Sequence, residues 1–77
     1  MQTELSAKIF GDKEDPRTRL ESIFGAHPAA REWAIGALTL AGVETSDTVL
    51  VIKQLRTAEP RLTLKAATYL AEDVRRA

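Results

Sequence analysis

Residues 60–75 read PRLTLKAATYLAEDVR and form the clearest amphipathic segment of the chain. At 100° per residue the polar side chains fall in one narrow stripe, which contains Arg61, Lys65, Thr68, Glu72 and Arg75. The apolar side chains lie broadly opposite and include Leu62, Ala66, Ala67, Tyr69, Leu70 and Val74. Proline suits the first position of a helix, where its missing N–H would have no partner in any case. The segment therefore predicts a helix from about Pro60 to Arg75 that buries one face.

Proline at the start and glycine at the end indicate two earlier helices. An Asp-Pro pair at 15–16 begins a stretch that ends at Gly25, and a His-Pro pair at 27–28 begins a stretch that ends at Gly42. Glycine suits the left-handed residue that follows a helix, and the carboxylate of Asp15 can accept from free N–H groups of a first turn. These signals predict helices from Pro16 to Phe24 and from about Pro28 to Ala41.

A third helix is expected to begin near Ser46. Thr45 or Ser46 would cap it, and Asp47 would lie in its first turn, where a carboxylate suits the helix dipole. Because residues 48–52 are rich in β-branched side chains, a strand is the alternative for that stretch.

Together these segments predict an all-α fold, a small bundle of about four short helices. Residues 1–14 form an N-terminal arm or short strand in this interpretation, and residues 15–77 form a single helical domain. The expected core residues are Ile23, Phe24, Trp33, Leu38, Ile52, Leu55 and Leu70.

The amino-acid composition argues against several classes of function. The 77 residues include eleven basic and eleven acidic side chains, so no strong overall field draws the protein to nucleic acid or to an anionic membrane. The longest mostly apolar uncharged run, Trp33 to Val43, is too short for a membrane span. The absence of cysteine excludes disulfides and thiolate metal sites and suits a cytoplasmic protein.

Residues capable of catalysis are sparse. His27 is the only histidine, it lies at a predicted helix boundary, and the sequence suggests no carboxylate partner for it. The acidic pairs at 14–15 and 72–73 are adjacent in sequence and therefore do not share a helix face. The glycines form no phosphate-binding cluster. We therefore expect no enzymatic activity, no metal site and no cofactor.

A basic cluster is the strongest functional signal. Lys53, Arg56, Arg61 and Lys65 are predicted on the exposed faces of the last two helices and around their connection. Such a cluster can contact an acidic protein surface or a phosphate backbone. These four residues are the predicted partner-binding site.

Part of this region resembles the helix pair in the C-terminal domain of the bacterial ribosomal stalk protein L7/L12. The similarity lies within residues 49–71 and rests on Val51-Ile52-Lys53 with Arg56, followed by Leu62, Leu64, Lys65 and Ala67. In that family, basic residues on the two helices contact translation factors. The resemblance implies that Lys53, Arg56 and Lys65 contact a protein partner.

The sequence favours a small non-enzymatic module that binds another protein through helix faces. The alternative is a small nucleic-acid-binding regulator that uses the basic cluster, for which affinity should fall steeply with salt. The alanine-rich helix faces also allow a homodimer.

Overall fold

The structure is a computed structural model that describes residues 14–76. In this range the chain forms four α-helices and no strand: α1 (Pro16–Phe24), α2 (His27–Ala41), α3 (Thr48–Ala58) and α4 (Leu64–Arg76). The predicted all-α bundle of four short helices is therefore confirmed, and residues 48–52 are helical. The predicted N-terminal arm, residues 1–14, lies outside the described residues except for Glu14.

The C-terminal helix organises the core, because α4 packs against each of the other three helices. Its buried face carries Ala66, Ala67, Leu70, Ala71 and Val74. The other helices and the connection before α4 complete the core with Leu20, Ala30, Ala34, Leu38, Val51, Leu55 and Leu62. Small alanines on facing helices let their backbones approach closely, and the leucines fill the remaining space.

All seven predicted core residues take part in this packing, to different degrees. Leu38, Leu55 and Leu70 are fully buried. The other four pack against the core while partly exposed: Ile23, Phe24, Trp33 and Ile52. The rings of Phe24 and Trp33 lie 4.8 Å apart between centroids in a tilted arrangement, which joins α1 to α2.

The predicted boundaries of the first two helices agree with the structure to within one residue. The Asp15 carboxylate accepts a hydrogen bond from the Arg17 N–H at 2.9 Å, as expected of an N-cap. At the end of α2, Gly42 has a left-handed φ of 69°, and the Val43 N–H donates to the Leu38 carbonyl. This pattern satisfies carbonyls that the helix leaves without partners.

The predicted start of the last helix was wrong. Pro60 lies in a turn in which the Leu62 N–H donates to the Glu59 carbonyl at 3.1 Å. The helix begins four residues later at Leu64, where the Thr63 hydroxyl accepts from the Ala66 N–H at 3.0 Å. The fixed φ of proline suits the second position of such a turn as well as the first position of a helix, so proline alone did not distinguish them.

The predicted cap of the third helix was also wrong. Asp47 is the N-cap of α3, and its carboxylate accepts from the Leu50 N–H at 3.2 Å. Thr45 and Ser46 lie in the preceding turn, which the hydrogen bond from the Asp47 N–H to the Glu44 carbonyl closes. Residues 45–48 are all of types that can cap a helix N-terminus. The position of the preceding turn determines which of them is the cap.

Candidate functional site

The structure separates the four predicted basic residues into three environments. All four are exposed. Lys53 and Arg56 line a groove along α3, whereas Lys65 lines a different groove beside the start of α1. Arg61, in the turn between α3 and α4, forms an ion pair with Glu59. Of the four residues, the structure therefore places Lys53 and Arg56 in one shared groove.

Arg61 is engaged by its neighbour. Its Nε and Nη2 donate to the two carboxylate oxygens of Glu59 at 2.9 and 3.0 Å, and its backbone N–H also donates to that carboxylate. These hydrogen bonds lower the pKa of Glu59 to about 2. The Arg61 charge is thus balanced locally, which weakens its contribution to any shared positive surface.

The groove on α3 follows one stripe of the helix. We call the residues that line it the α3 stripe: Val49, Ile52, Lys53, Arg56, Thr57 and Pro60. Their spacing, i, i+3, i+4, i+7, i+8 and i+11, places the helical members on one side of α3. The groove is open to solvent along its length and has a volume of about 520 Å³.

The α3 stripe combines apolar and cationic side chains. Val49 is 74% exposed, although valine is more often buried in a small domain. Arg56 donates from Nε to the Leu62 carbonyl at 3.3 Å, which ties its guanidinium to the connection between α3 and α4. The Lys53 side chain forms no ion pair with the described residues. The stripe therefore offers two cations beside an exposed apolar strip.

Sequence reasoning found the cations of this stripe and missed its apolar members. Val49 and Pro60 belong to the same surface, with Ile52 between them along the stripe. The helical spacing of residues 49, 52, 53 and 56 was a usable signal. The sequence does not show the geometry of the turn between α3 and α4, so it does not show which of these side chains share a groove.

Lys65 belongs to a second groove, which is lined by Pro16, Leu64, Lys65, Thr68 and Tyr69. Leu64 is 57% exposed there. Asp15 lies close enough to Lys65 for the lysine to contribute to lowering the pKa of that carboxyl, although the hydrogen bonds from Arg17 contribute more. The second groove is therefore lined by apolar side chains and by a lysine that lies near a carboxylate.

A polar cluster between α2 and α4 was not anticipated. Arg31 Nε donates to Asp73 Oδ2 at 2.9 Å, and His27 Nε2 lies 3.6 Å from the same oxygen. The His27 ring lies 5.4 Å from the Tyr69 ring between centroids. The hydrogen bond to Asp73 raises the pKa of Arg31.

The sequence suggests no carboxylate partner for His27, whereas the structure places Asp73 at ion-pair distance from it without a hydrogen bond. Asp73 is far from His27 in sequence, and only the packing of α4 on α2 brings the two residues together. His27 Nε2 is shielded from solvent and has no hydrogen-bond partner among residues 14–76. The cluster links two helices through the charged pair of Arg31 and Asp73.

Two other properties concern residues 14–76. No helix in this range is both long enough and apolar enough to cross a bilayer. The same residues contain no group of three or more histidine or acidic side chains arranged to hold a metal ion.

No protein-family model matches this chain, and neither a curated protein nor a solved structure shows a match to it.

Proposed function

We propose that this chain is a small non-enzymatic protein-interaction module and that the α3 stripe is its contact surface. The observation that carries the proposal is the combination of Val49, Lys53 and Arg56 on one exposed side of α3. The opposite side of the helix, with Val51 and Leu55, already forms the core. A protein partner would cover apolar surface that the fold leaves in water.

The separation of the basic residues favours a protein over a nucleic acid as the partner. Binding to a phosphate backbone gains affinity from each cation that contacts a phosphate, so it is strengthened by several cations that act together. Here the α3 stripe contributes two, Arg61 is paired with Glu59, and Lys65 lines the second groove. The alternation of apolar and basic side chains suits a protein surface better.

The non-enzymatic part of the proposal rests on the polar cluster. A general base must reach the proton that it removes. The His27 nitrogen that faces Asp73 is shielded from solvent, and Asp73 is held by Arg31. This arrangement supports a structural role. A cytoplasmic location is proposed with it, since the cysteine-free chain does not need an oxidising compartment.

The test is affinity capture from lysate of the source cells, with and without nuclease treatment, followed by quantitative mass spectrometry. The bait proteins are the wild type, the double variant Lys53→Glu/Arg56→Glu, and the control Lys65→Glu/Arg76→Glu. Both variants change the net charge equally and alter only exposed side chains. We expect wild type and control to retain the same protein partners and the α3 variant to lose them.

Two results would contradict the proposal. Partners that disappear with nuclease treatment would indicate a nucleic-acid-binding protein. A partner profile that is identical for the wild type and the Lys53→Glu/Arg56→Glu variant would exclude the α3 stripe as the contact surface.

A further inference from the structure

We infer that the α3 stripe receives an acidic amphipathic helix of the partner. This inference rests on the proposed function, since it takes the α3 stripe as the contact surface. It goes further by naming the chemistry and the secondary structure of what binds there.

The apolar residues of the stripe determine where the bound partner helix should carry its hydrophobic side chains. Val49 and Ile52 lie one turn apart on α3, and Pro60 extends the same strip beyond the helix end. On α3 this apolar strip covers about one turn, roughly 4.5 Å at 1.5 Å per residue, whereas the stripe with its two cations covers roughly two turns. A partner helix with apolar side chains at i and i+3 or i+4, and with polar side chains over a further turn, presents a surface of similar length.

The two cations of the stripe determine which charge the bound partner helix should carry. Lys53 and Arg56 line the groove, and no carboxylate is among its described lining residues. The hydrogen bond from Arg56 Nε to the Leu62 carbonyl holds the guanidinium near the groove before a partner arrives. Carboxylates beside the apolar face of the partner would form charge-assisted hydrogen bonds with these cations.

The same charges disfavour a second copy of this chain as the occupant. In a two-fold symmetric contact through the α3 stripe, each copy would present the same surface to the other. Lys53 and Arg56 would then approach cations of the same type. The like charges therefore disfavour a homodimer that forms through the α3 stripe.

The test uses three synthetic peptides of roughly 14 residues, long enough to form a helix when bound. The first has leucines at helical spacing and glutamates elsewhere, the second replaces every glutamate by lysine, and the third has the composition of the first in scrambled order. Each peptide is titrated into isotope-labelled full-length protein, and affinity and amide chemical-shift changes are measured.

We expect the acidic amphipathic peptide to bind about tenfold or more tightly than the other two, because only it matches both apolar spacing and charge. Its chemical-shift changes should centre on residues 49–60. Lys53→Glu/Arg56→Glu should weaken binding by about tenfold or more, whereas Lys65→Glu/Arg76→Glu should leave it within about twofold.

A second pair of variants tests the apolar part without changing charge. Val49→Ser should weaken peptide binding severalfold, while Leu40→Ser, at a site 92% exposed on α2, should not. Both sites are largely exposed, and the amide spectrum reports whether each variant remains folded.

Three results would overturn the inference: tighter binding of the lysine peptide, equal binding of the scrambled peptide, or chemical-shift changes centred on the second groove. If none of the peptides binds while the lysate experiment still gives partners that depend on Lys53 and Arg56, the inference fails and the proposed function stands. If the lysate experiment also gives no such partners, both fail.

Discussion

At the scale of single residues, Glu59 shows how one carboxylate can shape a turn. It accepts three hydrogen bonds from Arg61, two from the guanidinium and one from the backbone N–H. The intervening Pro60 keeps these neighbours in a tight turn, and the Leu62 N–H closes it on the Glu59 carbonyl. The pair therefore stabilises the turn that leads into α4.

This pairing predicts a specific pH dependence of stability. The pKa of Glu59 is lowered from 4.5 to about 2 in the folded protein, so the unfolded chain binds more protons between these pH values. The stabilisation from Glu59 should be complete above the unfolded pKa and should decrease as the pH falls through this window. Glu59→Gln should therefore flatten the acid limb of a plot of urea midpoint against pH.

The control for this prediction is Glu44→Gln, an exposed carboxylate in the connection between α2 and α3. It should leave the acid limb close to that of the wild type. Because Arg61 is 64% exposed, the Glu59 effect should shrink at high salt. An acid limb that is unchanged in Glu59→Gln would show that the turn does not need this ion pair.

At the scale of elements, the start of α4 depends on Thr63. The Thr63 hydroxyl accepts from the Ala66 N–H, and its carbonyl accepts from the Ala67 N–H at 2.9 Å. These bonds satisfy donors that a helix start otherwise leaves without partners. The cap matters because the helix it begins packs against every other helix.

Thr63→Ala should lower the free energy of unfolding by about 1 kcal/mol, because it removes the side-chain acceptor at the helix start. Urea denaturation followed by circular dichroism measures this change. The matched control is Thr39→Ala, an exposed site inside α2 whose hydroxyl donates to the Ile35 carbonyl at 2.7 Å. That change should be neutral or slightly stabilising, since alanine is the better helix former. Equal effects at both sites would contradict the assigned cap.

At the scale of the whole molecule, the bundle depends on small side chains where helices meet. Ala30 and Ala34 of α2 and Ala66 and Ala67 of α4 are fully buried. A chain of this length buries a limited core, so its stability depends strongly on how closely the helices pack. Larger side chains at these positions would separate the helix axes.

Ala66→Leu should therefore destabilise the protein by about 1–3 kcal/mol through overpacking, although leucine is more hydrophobic than alanine. Ala29→Leu, at an exposed site on α2, should change stability by no more than about 0.5 kcal/mol. Thermal and urea unfolding of both variants measure the difference. A neutral Ala66→Leu would show that the helices can move apart without loss, which contradicts close packing at this contact.

The fold class and most of the helices could be predicted from the amino-acid sequence alone. Helix signals are local: the Asp15 cap, the glycines after α1 and α2, and the apolar period of 3.6 residues act over one or two turns. Because these signals act only over one or two turns, they also explain why the predicted starts of two helices were wrong. Pro60 and residues 45–47 each suit a turn as well as a helix start, and their neighbours decide between these states.

Only the tertiary structure decided which side chains share a surface. Lys53 and Lys65 belong to the same cluster when read along the chain, yet they line different grooves. His27 and Asp73 are far apart along the chain, yet they lie 3.6 Å apart across α2 and α4. The physical reason is that local periodicity gives the faces of each helix, whereas the contacts between faces depend on how the helices pack across the core.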